Sequence, residues 1–352
     1  MATRTDFRSA FCLFATAALV PLVGVSLSAQ QDKPQAPAQV TPAVETQEER
    51  VEPPRYRWVE GFGRREDGKP IGSTHGCMCV DSKGRILANT DTEDAVVMFS
   101  PAGVVVGSWG KEYRGGLHGM TLRMEGSTEY LYLAHTMRGE VVKTTIDGEV
   151  VWTLGWPESS GIYASESEFH PTSVAVAGDG RMFVADGYGK SWIHSYDCNR
   201  KLIKSFGGPG REPGKLQTPH GLCIDTRGEK ELLLVCDREN HRLQWFTLDG
   251  AFVRESREGM LRPCNIWPLD EGRMAVADLV GRVTILDAKD KPILVLGEGA
   301  PQDKLATNQV APELWTKDRF FAPHSVCADR EGNLFVMDWN VHGRISKLEF
   351  VR

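Results

Sequence analysis

Helical periodicity is almost missing from this sequence. Apart from a short candidate near Ala311–Asp318, apolar residues do not recur at three- and four-residue spacing, so an all-helical bundle is excluded. An excess of positive charge is missing too: the formal net charge is −6, which gives no drive toward polyanions and excludes nucleic acid as an expected partner. After the first thirty or so residues no apolar run is long enough to cross a bilayer. Residues 30–54, QQDKPQAPAQVTPAVETQEERVEPP, have no aromatic residue at all. A segment so rich in Pro, Gln and Glu cannot bury enough apolar surface to offset its ordering entropy, and it reads as a flexible linker.

The opening segment has what the rest lacks. Arg4 and Arg8 precede an apolar run from Ala10 to Leu27, and small residues lead to Ala29. This is the pattern of an export signal over residues 1–29, with an uncleaved membrane anchor as the alternative. No lipobox cysteine follows it. The expected location is periplasmic or extracellular. Seven cysteines lie beyond the signal: Cys77, Cys79, Cys198, Cys223, Cys236, Cys264 and Cys327. Export permits disulfides, but most of the seven sit in apolar strand-like runs such as GLCID, LLVCD and SVCAD, and are expected to be free packing residues.

Residues 55–352 are built on one repeated phrase. Six anchor pairs recur: Thr74-His75, Leu117-His118, Pro171-Thr172, Pro219-His220, Pro263-Cys264 and Pro323-His324, spaced 43 to 60 residues apart. Each precedes a short apolar strand, a polar turn, a second strand, a loop, a third strand and often a fourth. The turns AGDG, DTRG, DREG and DSKG, then SPAG, IDG and LDG, suit hairpins. Alternation such as Arg242-Leu243-Gln244-Trp245 suits strands with one buried face. Four strands per repeat predict an all-β, six-bladed β-propeller. The last copy supplies only three strands, so Tyr56–Phe62 is expected to complete the sixth blade and hide its edge.

Anchor residues of a propeller ring one central axis. His118, His220 and His324 occupy the second, fourth and sixth anchors, about 120° apart by the symmetry of the fold. Three imidazoles meeting at one point suit zinc with an open fourth position. His75, at the first anchor, could be a fourth ligand, a base beside the metal, or a polar lining residue. Cys264, at the fifth, could offer a thiolate to a soft metal, but Pro263 and Asn265 make that segment read as a turn in which the cysteine packs. Asp237 and Arg242 are expected to brace a turn.

The phrases VADGYGKSWIHSY, VCDRENHRLQWF and FVMDWNVHGRISKL resemble NHL-repeat propellers. Together with PHGL and PHS at alternate blades, they resemble the peptidyl-α-hydroxyglycine α-amidating lyases over residues 75–350. The resemblance implies zinc on His118, His220 and His324, Tyr188 of the DGY motif as the catalytic base, and Arg238 of CDRENHR as a carboxylate-binding arginine. Two departures matter. Asn89 and Thr90 stand where a first-blade arginine would be sought, and Ser325 replaces an aspartate associated with structural calcium. The implied activity is zinc-dependent cleavage of a carbinolamide into an amide and an aldehyde, on a small-molecule or peptide substrate held in the channel of a monomer. No copper monooxygenase domain to make that substrate stands beside it here, so a partner enzyme or a different substrate is required. Two other functions fit the repeat: a non-catalytic propeller binding a protein, peptide or glycan, and a calcium-dependent lactonase. The latter would need Glu, Asn and Asp where these anchors carry imidazoles.

Overall fold

The protein was analysed as a computed structural model that describes residues 52–352. The expected signal over 1–29 and nearly all of the expected linker lie outside the described residues. Six four-stranded antiparallel sheets follow one another, and the first strand of each packs against the first strand of the next until the sixth meets the first. This is the expected six-bladed propeller. Blade 1 begins at Thr74, blade 2 at Leu117, blade 3 at Ser173, blade 4 at Pro219, blade 5 at Pro263 and blade 6 at Pro323.

Closure falls where the unfinished sixth repeat requires it. Arg55–Val59 pairs antiparallel with Arg344–Val351, and Trp58 faces Leu348. The closing strand is shorter than the expected Tyr56–Phe62. Gly61 turns the chain at φ 74°, and Phe62 leaves the sheet to pack between Phe99 of blade 1 and Phe335 of blade 6. The helix expected near Ala311–Asp318 is only a three-residue 3-10 turn, Pro312–Leu314. Among the described residues every helical element is a turn of this kind, and none is long and apolar enough to cross a membrane.

Burial follows position in the blade. Second strands such as Ile86–Thr90 and Leu334–Asp338 are buried throughout, because neighbouring blades cover both faces. Outer strands such as Val105–Trp109 alternate. The single buried face expected for Arg242–Trp245 is therefore wrong for a third strand: Arg242, Leu243, Gln244 and Trp245 are all buried. The core lies between blades, as where Leu87 and Val96 of blade 1 meet Leu131 and Val142 of blade 2. All seven described cysteines are free, and five are fully buried.

Turn chemistry follows the repeated aspartates. Asp81 accepts from the backbone N–H of Lys83 and Arg85, and Asp329 does the same for Glu331 and Asn333, closing the first hairpins of blades 1 and 6. A second set, at the ends of the second strands, steadies the chain just before an anchor. Asp278 accepts from Leu261 and Arg262 N–H, Asp338 from Phe321 and Ala322, and Asp237 from Gln217. Asp237 also holds Arg242, at 2.6 Å, and Asn240. It therefore braces a turn and an anchor together.

Candidate metal centre

Each histidine at the axis is aimed by a break in strand pairing. In blade 2 the register passes from Leu117 to Gly119, leaving His118 unpaired. In blade 6 it passes from Pro323 to Ser325, leaving His324. In blade 4 it passes from Pro219 to Leu222 around His220. Such bulges re-aim a side chain that a regular strand would point into the next blade. The three rings meet with centroids 4.6 to 4.9 Å apart, and all three are buried.

The neighbouring blade fixes how each ring is turned. His118 Nδ1 lies 2.7 Å from the carbonyl of Thr172, His220 Nδ1 2.9 Å from that of Cys264, and His324 Nδ1 2.8 Å from that of Gly76. A carbonyl only accepts, so each Nδ1 carries the proton and each Nε2 presents a lone pair. Even blades thus supply imidazoles, and the next odd blade supplies the acceptor that sets each tautomer. This accounts for glycine after histidine in the HG pairs. A Cβ on Gly221 would lie 2.4 Å from the Cys264 carbonyl oxygen, and one on Gly119 2.9 Å from that of Thr172, the same carbonyls the histidines use.

Charge state agrees with this geometry. Burial, helped by the positive charge around Arg238 and His75, holds His118 and His324 well below the usual imidazole range. Burial and Arg238 do the same for His220. Three neutral rings therefore offer three lone pairs. The Tyr188 hydroxyl lies 3.2 Å from His118 Nε2 and 3.1 Å from His220 Nε2, yet has one proton to give. His324 Nε2 is buried without a partner. Converging acceptors left short of donors are what a cation satisfies, and an all-imidazole donor set suits zinc among the common metals.

Tyr188 stands on the loop between the second and third strands of blade 3, Met182–Ala185 and Trp192–Tyr196. Its ring is about a third exposed at 37%, while its hydroxyl is turned inward to the histidines. Asp186 organises that loop, accepting from the backbone N–H of His170 and Lys190 and from the Tyr163 hydroxyl. Tyr163 in turn accepts from His194 Nε2 at 2.7 Å, and His194 Nδ1 meets Ser205. A Cβ on Gly189 would sit 2.1 Å from an Asp186 carboxylate oxygen, which requires glycine there. Arg238 begins the equivalent loop of blade 4. Its Nη1 donates to the Tyr188 hydroxyl at 3.3 Å and its Nε to Glu239. Burial pushes the Tyr188 phenol up and Arg238 draws it down, leaving a net rise.

Two further residues reach the centre. His75 lies 5.0 and 4.9 Å, ring to ring, from His118 and His324, and its Nδ1 faces Asp91 at 3.6 Å. Ligand atoms of His75, His118 and His324 lie within 4.8 Å of one another, as do those of His220, Cys264 and His324. Cys264 does not lie in the turn expected of Pro263–Asn265. It sits in the inner strand Pro263–Pro268, where the register skips it just as it skips His118 and His324. At the position of the missing first-blade arginine, Asn89 is buried and accepts from Cys77 N–H. Ser325 accepts from Met78 N–H and so links blade 6 to blade 1. Sequence reasoning missed the acceptor carbonyls, the Asp91 partner of His75, and Trp339, which packs 5.8 Å from His75. The aspartates ending the second strands of blades 4, 5 and 6, Asp237, Asp278 and Asp338, were the available signal for the Asp186 loop.

Below the centre the inner strands become apolar. Met78, Met120, Leu222, Ile266 and Trp267 help line a cavity of about 230 Å³.

These features define a class: a six-bladed β-propeller carrying an NHL repeat, whose family profile matches residues 216–246, with histidine, tyrosine and arginine gathered at one mouth. Its relatives narrow the class. The chain is 25% identical over 259 residues to the peptidyl-glycine alpha-amidating monooxygenase of Mus musculus, covering 70% of this chain and 25% of that protein. It is 32% identical over 173 residues to the peptidyl-alpha-hydroxyglycine alpha-amidating lyase 1 of Drosophila melanogaster, covering 46% and 31%. It thus matches about a quarter to a third of the length of these curated relatives. Among solved structures, a streptogramin B lyase superposes with a TM-score of 0.56 at 9% identity, covering 84% of this chain and 97% of that one, a likeness of fold.

Proposed function

We propose that the protein is an exported, zinc-dependent lyase that cleaves a carbinolamide of the peptidyl-α-hydroxyglycine type into a primary amide and glyoxylate. The observation that carries this reading is the position of the Tyr188 hydroxyl, within hydrogen-bond reach of two buried imidazoles and of Arg238. The similarity to amidating lyases supports it, and the N-terminal signal pattern supports export.

His118, His220 and His324 would hold the metal through Nε2. Bound there, zinc supplies a Lewis acid that favours deprotonation of a hydroxyl brought beside it. As a phenolate, favoured by Arg238 and by a cation bound at the histidines, Tyr188 would take the proton of the substrate α-hydroxyl. As the C–O⁻ electrons form the aldehyde, the C–N bond breaks and its electron pair remains on the amide nitrogen. Tyr188 can return the proton to that nitrogen, so it ends the cycle as it began. Arg238 orients the substrate carboxylate by charge and leaves the reacting carbon facing Tyr188.

The test measures metal content and glyoxylate release from a synthetic peptidyl-α-hydroxyglycine, before and after chelation. Loss and recovery of both together support the reading. A zinc-loaded protein inactive on this compound overturns the amidating assignment and leaves the metal site. A properly folded, metal-free wild type that gains no activity with zinc overturns both in favour of a non-catalytic binding propeller.

A further inference from the structure

We propose that Cys264 is the fourth protein ligand of the same ion, bound as a thiolate, so that the resting centre is three imidazoles and one sulfur. The inference rests on the reading that the three histidines hold a metal, and goes beyond it by closing the coordination shell.

Position within the blade is the first argument. Cys264 follows a proline, as His220 and His324 do, and is the single residue skipped in its strand pairing, as His118 and His324 are. The backbone that aims those imidazoles at the axis therefore aims this thiol as well. Distance is the second: the ligand atoms of His220, Cys264 and His324 all lie within 4.8 Å of one another, near enough for one ion to draw to bonding distance, and the His118 ring adjoins that of His324. The third is an unmet need, since His324 Nε2 is buried with no partner and belongs to this same group. Cys264 is 1% exposed, and its Sγ has only a long contact, 3.7 Å, with the Arg262 carbonyl. Burial pushes the Cys264 thiol up to about 12, and the Arg238 guanidinium beside it works the other way.

His75 is the competing fourth ligand and fits less well. Its Nδ1 stands 3.6 Å from the Asp91 carboxylate, beyond the hydrogen-bond reach that fixes each of the other three rings, and its side chain is a quarter exposed. Four protein ligands make a closed site, whereas hydrolytic and lyase zincs keep a position open. A substrate oxygen must therefore displace the Cys264 sulfur, with Arg238 beside the released thiolate.

Coordination breaks the S–H bond of Cys264 and sends its proton to solvent, which gives two readouts besides turnover. The full chain is stripped with a chelator and titrated with cobalt(II) alone. The expected result is a sulfur-to-cobalt charge-transfer band with release of about one proton per cobalt bound; Cys264→Ser binds cobalt without either signal. Zinc-edge absorption on the wild type adds a check that needs no variant, because a sulfur neighbour lies at about 2.3 Å and nitrogen at about 2.0–2.1 Å. Cobalt bound without the band, a band that survives in Cys264→Ser, or a zinc shell of nitrogen and oxygen alone overturns the thiolate ligand and leaves the three-histidine centre standing. A wild type that binds neither metal overturns both.

Discussion

Even and odd blades carry the same anchor turn and put it to different uses. In blades 2, 4 and 6 the side chain of the anchor reaches the axis as histidine. In blades 3, 5 and 1 a main-chain carbonyl at or beside the anchor receives the Nδ1 proton of the preceding blade. A sixfold scaffold thus gathers three imidazoles at its axis, with the even blades providing the rings and the odd blades fixing their orientation. Substitution at an even anchor removes an atom that no other blade replaces. Substitution near an odd anchor, Cys264 apart, leaves the three imidazoles in place and disturbs their aim.

The largest effect that would sharpen this contrast is loss of metal. His118→Ala, His220→Ala and His324→Ala are each expected to lose most of the bound zinc, read by elemental analysis of the purified protein, and turnover with it. Three unrelated stability changes with no common loss of metal would break the comparison. Next in size is Tyr188→Phe, which deletes a proton acceptor but no ligand; zinc should stay while kcat falls by about 10²–10⁴-fold.

Gly221→Ala tests the odd-blade carbonyl directly. Its new Cβ would meet the Cys264 carbonyl oxygen at 2.4 Å, so the blade 4 and blade 5 strands must separate at a cost of about 1–3 kcal/mol. Denaturant titration should show that loss together with weaker zinc binding. Gly155→Ala, with nothing within 4 Å of its added Cβ, is the control expected to change neither.

A smaller effect separates the Tyr188 loop from the metal. Burial depresses the His194 imidazole to about 3, against about 6.5 in an unfolded chain. The unfolded state therefore binds the extra proton between these values, and the neutral ring contributes its full stability above pH 6.5. That contribution falls as pH drops from 6.5 toward 3, by at most about 1.4 kcal/mol per pH unit. His194→Gln should flatten this slope in denaturation curves measured across the interval. The smallest change is expected at an odd anchor whose side chain faces inward: His75→Ala should keep most of the zinc, and a loss as large as that of His220→Ala would erase the distinction between even and odd blades.

Blades, anchor order and the ring of histidines were legible in the sequence because each repeat carries its own turn residues and its own apolar strands. The mouth residues Tyr188 and Arg238 were legible through short motifs. What aims them was not. His324 is fixed by a carbonyl 248 positions away, and any residue can supply a carbonyl, so no letter marks it. Pro263-Cys264-Asn265 read as a turn because a proline and an asparagine were weighed without the bulge that admits them to a strand. The strand at Arg242–Trp245 read as buried on one face because alternation describes one sheet, whereas a propeller buries both faces of its middle strands.

The bond from His324 to Gly76 has a consequence for how the chain matures. Its partners belong to the last and first blades, and the strand at Arg55–Val59 must also find residues as distant as Val351. Contacts of such sequence separation form late and slowly. A nascent chain with five finished blades still has two correctly held imidazoles and an unsealed ring, so the trio assembles only when the circle closes. On the proposed metal site, capture of the ion would then report completed folding, because an ion that needs all three nitrogens would leave truncated or half-folded chains empty.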